Sequence, residues 1–414
     1  MNHAKSVRYF SLFAAFLLLS ASAFGATHKK KHRASSSNKR TVSTRTVKGK
    51  RVARGRARRG HVIVTHNSAL PRLWQPSPAW KEPTFADSTA NDYIDGEDLT
   101  VRRAAVETLG PFNGTVVVVD PNTGRILTMV NQRLALKSGF QPCSTIKIVA
   151  ALAGLNEGIV TGNQNVRLFG RTQMSLTYAL AHSNNYFFAR IGEQLGFQRI
   201  THYAQLLGLG ELAGFDIPGE QPGSLPPAVP GGGLGMMTSF GQGIALTPLE
   251  LAGIMTSIAN GGTMYYLQYP RSREEVERFV PRVKRQLDVA KWIPDVKAGM
   301  IGAVEFGTAR RANYNPSEPI MGKTGTCTDE RSPTHLGWFG SYNEIGNRKL
   351  VVVVLLTGGR PINGPVASGV AGQVYQNLSK LNYFQSDRPL ALVSSGICCE
   401  HPAPQSVEPS TASN

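Results

Sequence analysis

Ser144 and Lys147 lie three residues apart in the stretch "CSTIK", at the start of an otherwise apolar run. On a helix this spacing puts both side chains on one face, about one turn apart. A serine hydroxyl is a weak nucleophile at neutral pH and needs a base within hydrogen-bond distance. A lysine can be that base only if its pKa falls from about 10.4, through burial or a second nearby cation. The spacing alone also occurs by chance in many helices.

Two short polar runs further along the chain contain candidate partners for this pair. The run "AHSNNYFF" at 181–188 contains Ser183 and Asn185, and taken alone it is more typical of a helix N-cap. The run "MGKTGTC" contains the second cation, Lys323, on a predicted strand. Gly325 would form a bulge if that strand is exposed, or would let a ligand approach the backbone because no side chain blocks it.

The elements that must position these residues are predicted between about 86 and 385. "TVVVVDPNTGRILTMV" is typical of a β-hairpin. Residues 144–157 are typical of an apolar helix that ends at Gly158. The other predictions are helical stretches up to 207, a Gly- and Pro-rich loop at 208–243, helices from "TPLELAG" and at 295–306, strands at 320–327, 335–342 and 350–357, and a final helix at 365–380. Strands at both ends with helices between them predict one sheet closed by distant parts of the chain.

The net charge of +18 belongs to the N-terminal part of the 414-residue chain. No Asp or Glu precedes Glu82, and residues 1–81 hold 18 of the 45 Lys and Arg residues. The remaining 27 basic residues match the 27 acidic ones, so the folded body is formally neutral. A specific nucleic-acid partner is therefore not indicated.

Three segments are predicted to lie outside the folded domain of 86–385. Residues 1–25 are typical of a secretory signal peptide, with a short membrane anchor as the alternative. Residues 26–85 form a basic and Pro-rich linker, expected to be disordered and suited to contact anionic envelope polymers or the membrane, and 386–414 form a flexible tail. Export would place the protein in the periplasm or cell envelope, where disulfides can form.

The motifs S-x-x-K, a Ser-Asn-Asn variant of S-D-N, and K-T-G occur here in the order typical of penicillin-binding proteins and class A β-lactamases. From about Thr115 to Lys380 the chain resembles the transpeptidase domain of penicillin-binding proteins, in the serine β-lactamase and D,D-peptidase superfamily. "GEQPGSLP", "SFGQGIALTPLELAG", "EFGTARRA" and "HLGWFGSY" also resemble this domain. The resemblance implies an α+β fold with three α/β/α layers, a mainly antiparallel five-stranded sheet and an all-helical subdomain.

The resemblance also implies the chemistry. The family acylates a serine with the penultimate D-alanine of a peptidoglycan stem peptide and releases the terminal D-alanine; β-lactams acylate the same serine. Ser144 would be the nucleophile and Lys147 its base. Ser183 would relay a proton to the leaving amine, and Lys323 would hold Ser183 and keep Lys147 less basic. No HExxH, CxxC or P-loop pattern occurs, so neither a metal nor another cofactor is implied.

Four positions are implied to bind the substrate. Asn185 would hydrogen-bond a substrate amide, and the hydroxyls of Thr324 and Thr326 would bind the terminal carboxylate. The backbone N–H groups of Ser144 and Thr326 would bind the oxyanion. Gly325 would leave the backbone between the two threonines open to the ligand.

A serine β-lactamase is the main alternative to a slowly deacylating penicillin-binding protein. It needs a glutamate that positions water, and the candidates are Glu193, Glu211 and Glu220. None of them stands in the β-lactamase motif, and Asn184 replaces the aspartate of that enzyme. A penicillin-binding transpeptidase or carboxypeptidase is therefore favoured, with a β-lactam or muropeptide sensor as a third hypothesis.

Two departures from the family are expected to matter. The spacing between Ser144 and Ser183 is shorter than is usual, which predicts a trimmed helix or loop beside the cleft. The sequence before the domain is too short for a glycosyltransferase module or a large pedestal. A free-standing transpeptidase domain on a basic tether is therefore expected.

The cysteines extend the resemblance. Cys143 precedes the nucleophile and Cys327 lies two residues after Gly325. Certain class A carbapenem-hydrolysing β-lactamases have a disulfide between these two motif-relative positions, which implies a Cys143–Cys327 disulfide here. The alternative is a pair of small buried thiols. Cys398 and Cys399 lie in the polar tail and are expected to have no role in catalysis.

Overall fold

The computed structural model describes residues 80–162 and 164–385. The signal or anchor segment 1–25, residues 26–79 of the predicted linker, and the tail 386–414 with its two cysteines lie outside the described residues. Residues 80–85, which the sequence places in the linker, contact the domain. The N–H of Lys81 donates to the carbonyl oxygen of Pro333, and Phe85 forms a β-bridge with Phe112.

Nine strands form the β-structure of the described residues. They are β1 (Gly114–Asp120), β2 (Arg125–Val130), β3 (Val166–Phe169), β4 (Thr172–Met174), β5 (Thr263–Tyr265), β6 (Val283–Gln286), β7 (Ile320–Thr328), β8 (His335–Asn343) and β9 (Val351–Gly358). β1, β2, β7, β8 and β9 make one antiparallel sheet in the order β2-β1-β9-β8-β7. The first hairpin of the domain therefore pairs with its last strand, which confirms the predicted closure.

Ten α-helices surround this sheet in the described residues. They are α1 (Leu99–Leu109), α2 (Gln132–Ala135), α3 (Lys147–Asn156), α4 (Leu176–Ala181), α5 (Asn185–Leu206), α6 (Gly233–Phe240), α7 (Pro248–Ala259), α8 (Arg273–Glu277), α9 (Ile293–Glu305) and α10 (Gly364–Lys380). Within these residues, none of the helices combines the length and hydrophobicity needed to cross a membrane.

Two apolar cores explain the layers. Alternate residues of β1 face opposite sides of the sheet, as strand geometry requires. Val116 and Val118 pack in a core with α1 and α10, whereas Val117 and Val119 pack in a core with α3 and α7. β1 and β9 are buried along their whole length, as expected of strands covered on both faces. The α+β fold with a five-stranded antiparallel sheet and helices on both faces is confirmed.

The sequence missed several elements. α1 was not predicted, and its N-terminus is defined by the side chain of Asp98, which accepts hydrogen bonds from two backbone N–H groups. The prediction of a continuous loop at 208–243 was wrong, because α6 forms inside it. The glycines of "GGGLGMMTSF" favour a loop in the sequence, but the last eight residues of this stretch form the apolar helix α6, which packs against α5. Only the β3–β4 hairpin and α4 separate α3 from Ser183.

Glu250 joins this long loop to α7. Its carboxylate accepts from the N–H of Thr247 in a capping box, and its other oxygen accepts from the N–H groups of Gly210 and Gly223. Because the side chain is buried, the pKa of Glu250 is raised to about 7. One carboxylate therefore accepts hydrogen bonds from a backbone N–H at the start of α7 and from two backbone N–H groups in the loop regions on either side of 211–222.

Glu250→Ala is expected to lower the free energy of unfolding by about 3 kcal/mol, since it leaves several buried N–H groups without an acceptor. Chemical denaturation at pH 8 measures the change. Glu107→Ala is the matched control, because Glu107 is exposed on α1. A loss of less than about 0.5 kcal/mol for Glu250→Ala, the size expected of an ordinary surface change, would contradict the prediction.

Candidate active site

Ser144 lies in a tighter turn than predicted. Residues Cys143–Ile146 form a 3₁₀ helix, and the α-helix begins only at Lys147. Side chains three residues apart are eclipsed in a 3₁₀ helix. As a result Nζ of Lys147 lies 2.6 Å from Oγ of Ser144. The predicted contact is present, but its geometry comes from the 3₁₀ turn.

Lys147 is completely buried in a polar pocket. Its Nζ lies 3.1 Å from Oγ and 3.2 Å from the carbonyl oxygen of Ser183, and 2.7 Å from Oδ1 of Asn185. The rings of Phe188 and Phe240 close the pocket, with centroids 5.8 and 5.7 Å from Nζ. These contacts leave the amine hydrogen-bonded but removed from water.

Ser183 connects the two lysines. Its Oγ is 2.9 Å from Nζ of Lys323, which is also fully buried and donates to the carbonyl oxygen of Thr324. Ser183 has a φ of 56°, a left-handed conformation that is uncommon for serine. The helix N-cap expected in this run is Asn184, whose side chain accepts from a backbone N–H of α5; Ser183 is not the cap. The strained turn directs the Ser183 hydroxyl between two ammonium-bearing side chains.

Burial lowers the pKa of both lysines, and the neighbouring cation adds to the shift at Lys147. Burial first, and then the charge on Lys323, lower the pKa of Lys147 to about 6. Burial lowers the pKa of Lys323 to about 7. Both shifts favour the neutral amine near neutral pH, and Lys147 is the lysine in contact with Ser144. The arrangement can therefore take a proton from Ser144 near neutral pH.

Acylation of the protein by penicillin is expected to fall about tenfold per pH unit below pH 6. The reason is that the neutral fraction of Lys147 falls in that range. The second-order rate constant of acylation, measured from pH 4.5 to 8, gives the profile. In Lys323→Met the midpoint should move to higher pH, because a neighbouring cation no longer favours the neutral amine. A flat profile across pH 6 would contradict the prediction.

The strand that follows α9 presents its two faces to different neighbours. Lys323, Gly325 and Cys327 lie on one face of β7, from which Lys323 contacts Ser183 and Cys327 bonds to Cys143, while Thr324 and Thr326 lie on the alternate positions. Oγ1 of Thr326 accepts from the N–H of Gly364 at the start of α10. β7 is the edge strand, so alternate backbone groups are left outside the ladder.

Gly325 does not form the predicted bulge, and its missing side chain has a packing role that the sequence did not indicate. Its pairing with Trp338 is in regular register, so it is not a bulge. A Cβ at this position would lie 3.0 Å from the carbonyl oxygen of Pro142 and 3.2 Å from Cγ2 of Thr145. The missing side chain therefore lets the 3₁₀ turn at Cys143–Ile146 pack directly on the strand.

A cleft of about 250 Å³ opens over these groups. Its described lining consists of Ser144, Ser183, Asn185, Phe240, Thr308, Thr324, Thr326 and Pro365. Thr308 was not predicted, yet its Oγ1 lies 2.6 Å from Oγ1 of Thr324. Phe240 and Ser239 were also missed, and the carbonyl oxygen of Ser239 lies 3.4 Å from Oγ of Ser144. The quoted stretches "EFGTARRA" and "SFGQG" contain all three, but nothing in their residue types indicated a site.

The Cys143–Cys327 disulfide is present, with Cα atoms 5.5 Å apart. Cys143 has a φ of 51°, so the backbone is left-handed immediately before the nucleophile. The bond ties this strained residue to the strand that carries Lys323. The cross-link therefore restrains the position of Ser144 relative to β7.

Cys143→Ala/Cys327→Ala is expected to lower the free energy of unfolding by about 2 to 5 kcal/mol, since the bond closes a loop of 184 residues. Denaturation with and without reductant measures the effect. Reductant should destabilise the wild type and leave the double variant unchanged, although Cys398 and Cys399 remain in both. An equal effect of reductant on the two proteins would show that the Cys143–Cys327 bond does not cause the stabilisation.

The candidate glutamates are not equivalent. Glu211 pairs with Lys284 at 2.7 Å and with Arg285, and Glu220 accepts from the N–H groups of Ala213 and Gly214. Both are therefore committed to structure. Glu193 lies on α5 and lines a groove next to the cleft.

His182 packs between aromatic rings rather than facing a serine–acid pair. Its ring centroid is 4.2 Å from that of Tyr178 and 5.7 Å from that of Phe306. The side chain is exposed, and its role in the described structure is packing at the rim.

Comparisons with known proteins agree with this geometry. A family model for the penicillin-binding protein transpeptidase domain matches residues 114–380. Stage V sporulation protein D of Bacillus subtilis (strain 168) is 27% identical over 317 residues, covering 64% of this chain and 49% of the relative. Peptidoglycan D,D-transpeptidase MrdA of Haemophilus influenzae is 24% identical over 360 residues, covering 66% and 54%. The chain thus spans about half the length of these curated relatives.

A solved structure supports the fold. The transpeptidase domain of penicillin-binding protein 3 from Burkholderia pseudomallei superposes with a TM-score of 0.60 at 21% identity, covering 71% of this chain and 98% of that one. At this identity the likeness is one of fold. The family model, however, spans well over half of the sequence. The chain belongs to the penicillin-binding protein transpeptidase domain family.

Proposed function

We propose that the chain is a serine D,D-transpeptidase that acts on peptidoglycan stem peptides ending in D-Ala-D-Ala and is acylated by penicillin at the same serine. The observation that carries the proposal is the 2.6 Å contact between Oγ of Ser144 and a buried lysine whose pKa is about 6. Relatives named peptidoglycan D,D-transpeptidase support the substrate class. D,D-carboxypeptidase activity would be the same chemistry with water as acceptor.

The acylation step uses both lysines and both serines. Oγ of Ser144 attacks the carbonyl carbon of the penultimate D-alanine, and its proton passes to Nζ of the neutral Lys147. When the tetrahedral intermediate collapses, the C–N bond breaks and an ester to Ser144 remains. The proton reaches the leaving amine through the hydroxyl of Ser183, which lies 3.1 Å from Lys147. Lys323 would hold the hydroxyl of Ser183 in place and, in its protonated form, stabilise the negative charge that develops.

The substrate would be held from both ends of the cleft. The hydroxyls of Thr324, Thr326 and Thr308 would bind the terminal carboxylate. Asn185 would hydrogen-bond the amide on the donor side, and the N–H groups of Ser144 and Thr326 would bind the oxyanion. The edge position of β7 supports this assignment, because an edge strand has backbone donors outside the ladder.

The fate of the ester separates the candidate functions. Attack by an amine of a second stem gives transpeptidation, attack by water gives carboxypeptidation, and rapid attack by water on a penicilloyl ester gives a β-lactamase. Glu211 and Glu220 make the structural contacts described above, which supports slow deacylation. A sensor would remain acylated without releasing D-alanine from a peptide.

The test follows a fluorescent penicillin adduct over hours and D-alanine release from a D-Ala-D-Ala peptide. A long-lived adduct on Ser144 together with D-alanine release is the expected result. Loss of the adduct within minutes would support the β-lactamase, and a stable adduct without D-alanine release would support the sensor. The absence of any adduct would overturn the proposal.

The reaction implies an envelope location, because cross-linked peptidoglycan lies outside the cytoplasm. Residues 1–25 would direct export, and the basic segment 26–85 would contact anionic polymers or the membrane surface. Fractionation of cells that produce the full chain, with and without residues 26–79, tests both parts. Recovery of the full chain in the cytosolic fraction would contradict the export assignment.

A further inference from the structure

Gln141 lies three residues before Ser144 and is almost completely buried. Its side-chain amide bridges two distant parts of the chain. Nε2 donates to the carbonyl oxygen of Phe240 at 3.0 Å, and Oε1 accepts from the N–H of Glu330 at 3.3 Å. Phe240 is the last residue of α6, and Glu330 lies in the loop between β7 and β8. One side chain therefore links the end of α6 to the loop that follows β7.

The backbone of Gln141 is held as well. Its N–H donates to Oδ2 of Asp329 at 3.0 Å, and its carbonyl oxygen accepts from Nε1 of Trp338 on β8 at 3.0 Å. Asp329 and Trp338 are both buried. A buried polar network whose members are all paired is rigid, because breaking any bond leaves a group without a partner. The segment before Ser144 is thus fixed to the β7–β8 hairpin by its backbone and to α6 by its side chain.

The end of α6 contacts the groups that carry the proposed chemistry. The carbonyl oxygen of Ser239 lies 3.4 Å from Oγ of Ser144. The ring centroid of Phe240 lies 5.7 Å from Nζ of Lys147, and Phe240 also lines the cleft. A shift of α6 relative to the 3₁₀ turn would therefore change the surroundings of both the serine hydroxyl and the lysine amine.

The junction between α6 and this turn is tightly constrained. A Cβ on Gly241, the residue that ends α6, would lie 2.2 Å from Cγ of Pro142, so the two segments pack without a gap. Cys143 has a φ of 51°, a conformation that a residue other than glycine keeps only when its surroundings hold it. The disulfide holds Cys143 from β7, and the hydrogen bonds of Gln141 hold the same turn from the other side.

We propose that Gln141 is a positioning residue for acylation: its amide keeps the end of α6 and the turn that carries Ser144 in the relative position at which Lys147 can take the proton. The inference rests on the proposed function, since it concerns the same acylation step. Gln141 is not among the described residues that line the cleft, so it acts through its neighbours and takes no part in the proton transfers.

The position requires an amide, because the side chain donates at one end and accepts at the other. Glutamate has nearly the same shape, but its carboxylate cannot donate to the carbonyl oxygen of Phe240. The charged neighbours of the position are Asp329, Glu330 and Arg331 on the loop, with Lys147 beyond the ring of Phe240. Protonation of the introduced carboxylate restores one donor, so the defect of Gln141→Glu should shrink as the pH falls.

The test measures the rate constant k2 of acylation separately from the dissociation constant Kd of the noncovalent penicillin complex, by stopped-flow at pH 8. Gln141→Met should lower k2 by about tenfold and leave Kd within about twofold, because a misplaced nucleophile slows the chemical step. Gln132→Met is the matched control. The amide of Gln132 on α2 likewise accepts from the N–H and donates to the carbonyl oxygen of one residue, Tyr93, and Gln132 does not line the described cleft. This control should leave k2 unchanged.

Gln141→Glu is the second variant, and its near-isosteric side chain keeps the test valid if Gln141→Met does not fold. Its k2 relative to that of the wild type at the same pH should be about 0.1 at pH 8 and should rise about threefold by pH 5.5, since burial beside Asp329 favours the protonated form. A ratio that does not change with pH, or a k2 of Gln141→Met within twofold of the wild type, would overturn the positioning role.

Amide hydrogen exchange reports on the same link without any acylation. Exchange in segments 140–147 and 237–244 should become faster in Gln141→Met and stay unchanged in Gln132→Met, because only the first substitution removes the bond between them. Unchanged exchange in both segments would overturn the link itself. Absence of penicillin labelling of the wild-type protein would instead overturn the proposed function, since the exchange comparison does not depend on it.

Discussion

Ser144→Ala is expected to show no detectable labelling by fluorescent penicillin. The substitution removes the hydroxyl that lies 2.6 Å from Nζ of Lys147, and with it the oxygen that would form the ester. Loss of a serine nucleophile typically lowers kcat by on the order of 10⁶-fold. Labelling is read by gel fluorescence and by the intact mass of the protein after incubation with the β-lactam.

Folding should survive this change, because the Ser144 side chain is small and Lys147 keeps its contacts with Ser183 and Asn185. The melting temperature should therefore stay within a few degrees of the wild type. Ser257→Ala is the matched control, since Ser257 is buried in α7 and its hydroxyl donates to the carbonyl oxygen of Ile254 in the same helix. Stoichiometric labelling of Ser144→Ala, mapped to another residue, would place the nucleophile elsewhere.

Lys147→Met is expected to lower the second-order rate constant of acylation by about 10³- to 10⁴-fold. Methionine has a similar length but no amine, so the proton of Ser144 loses its acceptor, and a positioned base typically contributes 10²- to 10⁴-fold. Stopped-flow or quenched labelling over a range of penicillin concentrations gives the constant. The residual reaction should also lose the rise in rate near pH 6 that the lysine causes.

The pH profile separates a base from a structural lysine. Lys297→Met removes a lysine from α9 that pairs with Glu344 at 2.7 Å, and its acylation rate and profile should match the wild type. If Lys147→Met is slow but keeps the rise near pH 6, another group titrates and the assignment of the base is wrong.

The two buried amines also couple stability to pH. Lys147 and Lys323 have pKa values of about 6 and about 7, lower than in the unfolded chain. Above these values the unfolded chain binds more protons than the native protein, so both groups make stability rise with pH up to about 10, where free lysine titrates. At neutral pH the protein thus retains two groups that oppose its folding. Their reactivity depends on the same burial.

The sequence by itself determined which residue types could do this chemistry and in what order. Ser144 and Lys147 are three residues apart, and any right-handed helical turn brings such a pair to one face. The β-branched run of β1, followed by the turn residues Pro-Asn-Thr-Gly, and the apolar run of β9 predicted strands at these positions. These signals depend on the spacing of residues that are close in sequence, which can be determined without the tertiary structure.

The tertiary structure decided how close the groups come and which neighbours complete the site. Lys323 contacts Ser183 although 140 residues separate them in the chain. Thr308 contacts Thr324 because α9 packs against β7 and places the residues that follow the helix beside this strand. The fit of Gly325 under the 3₁₀ turn and the hydrogen bonds of the Gln141 amide are likewise set by packing. Contacts of this kind depend on which surfaces bury each other, a property of the whole fold that residue types at fixed spacing do not encode.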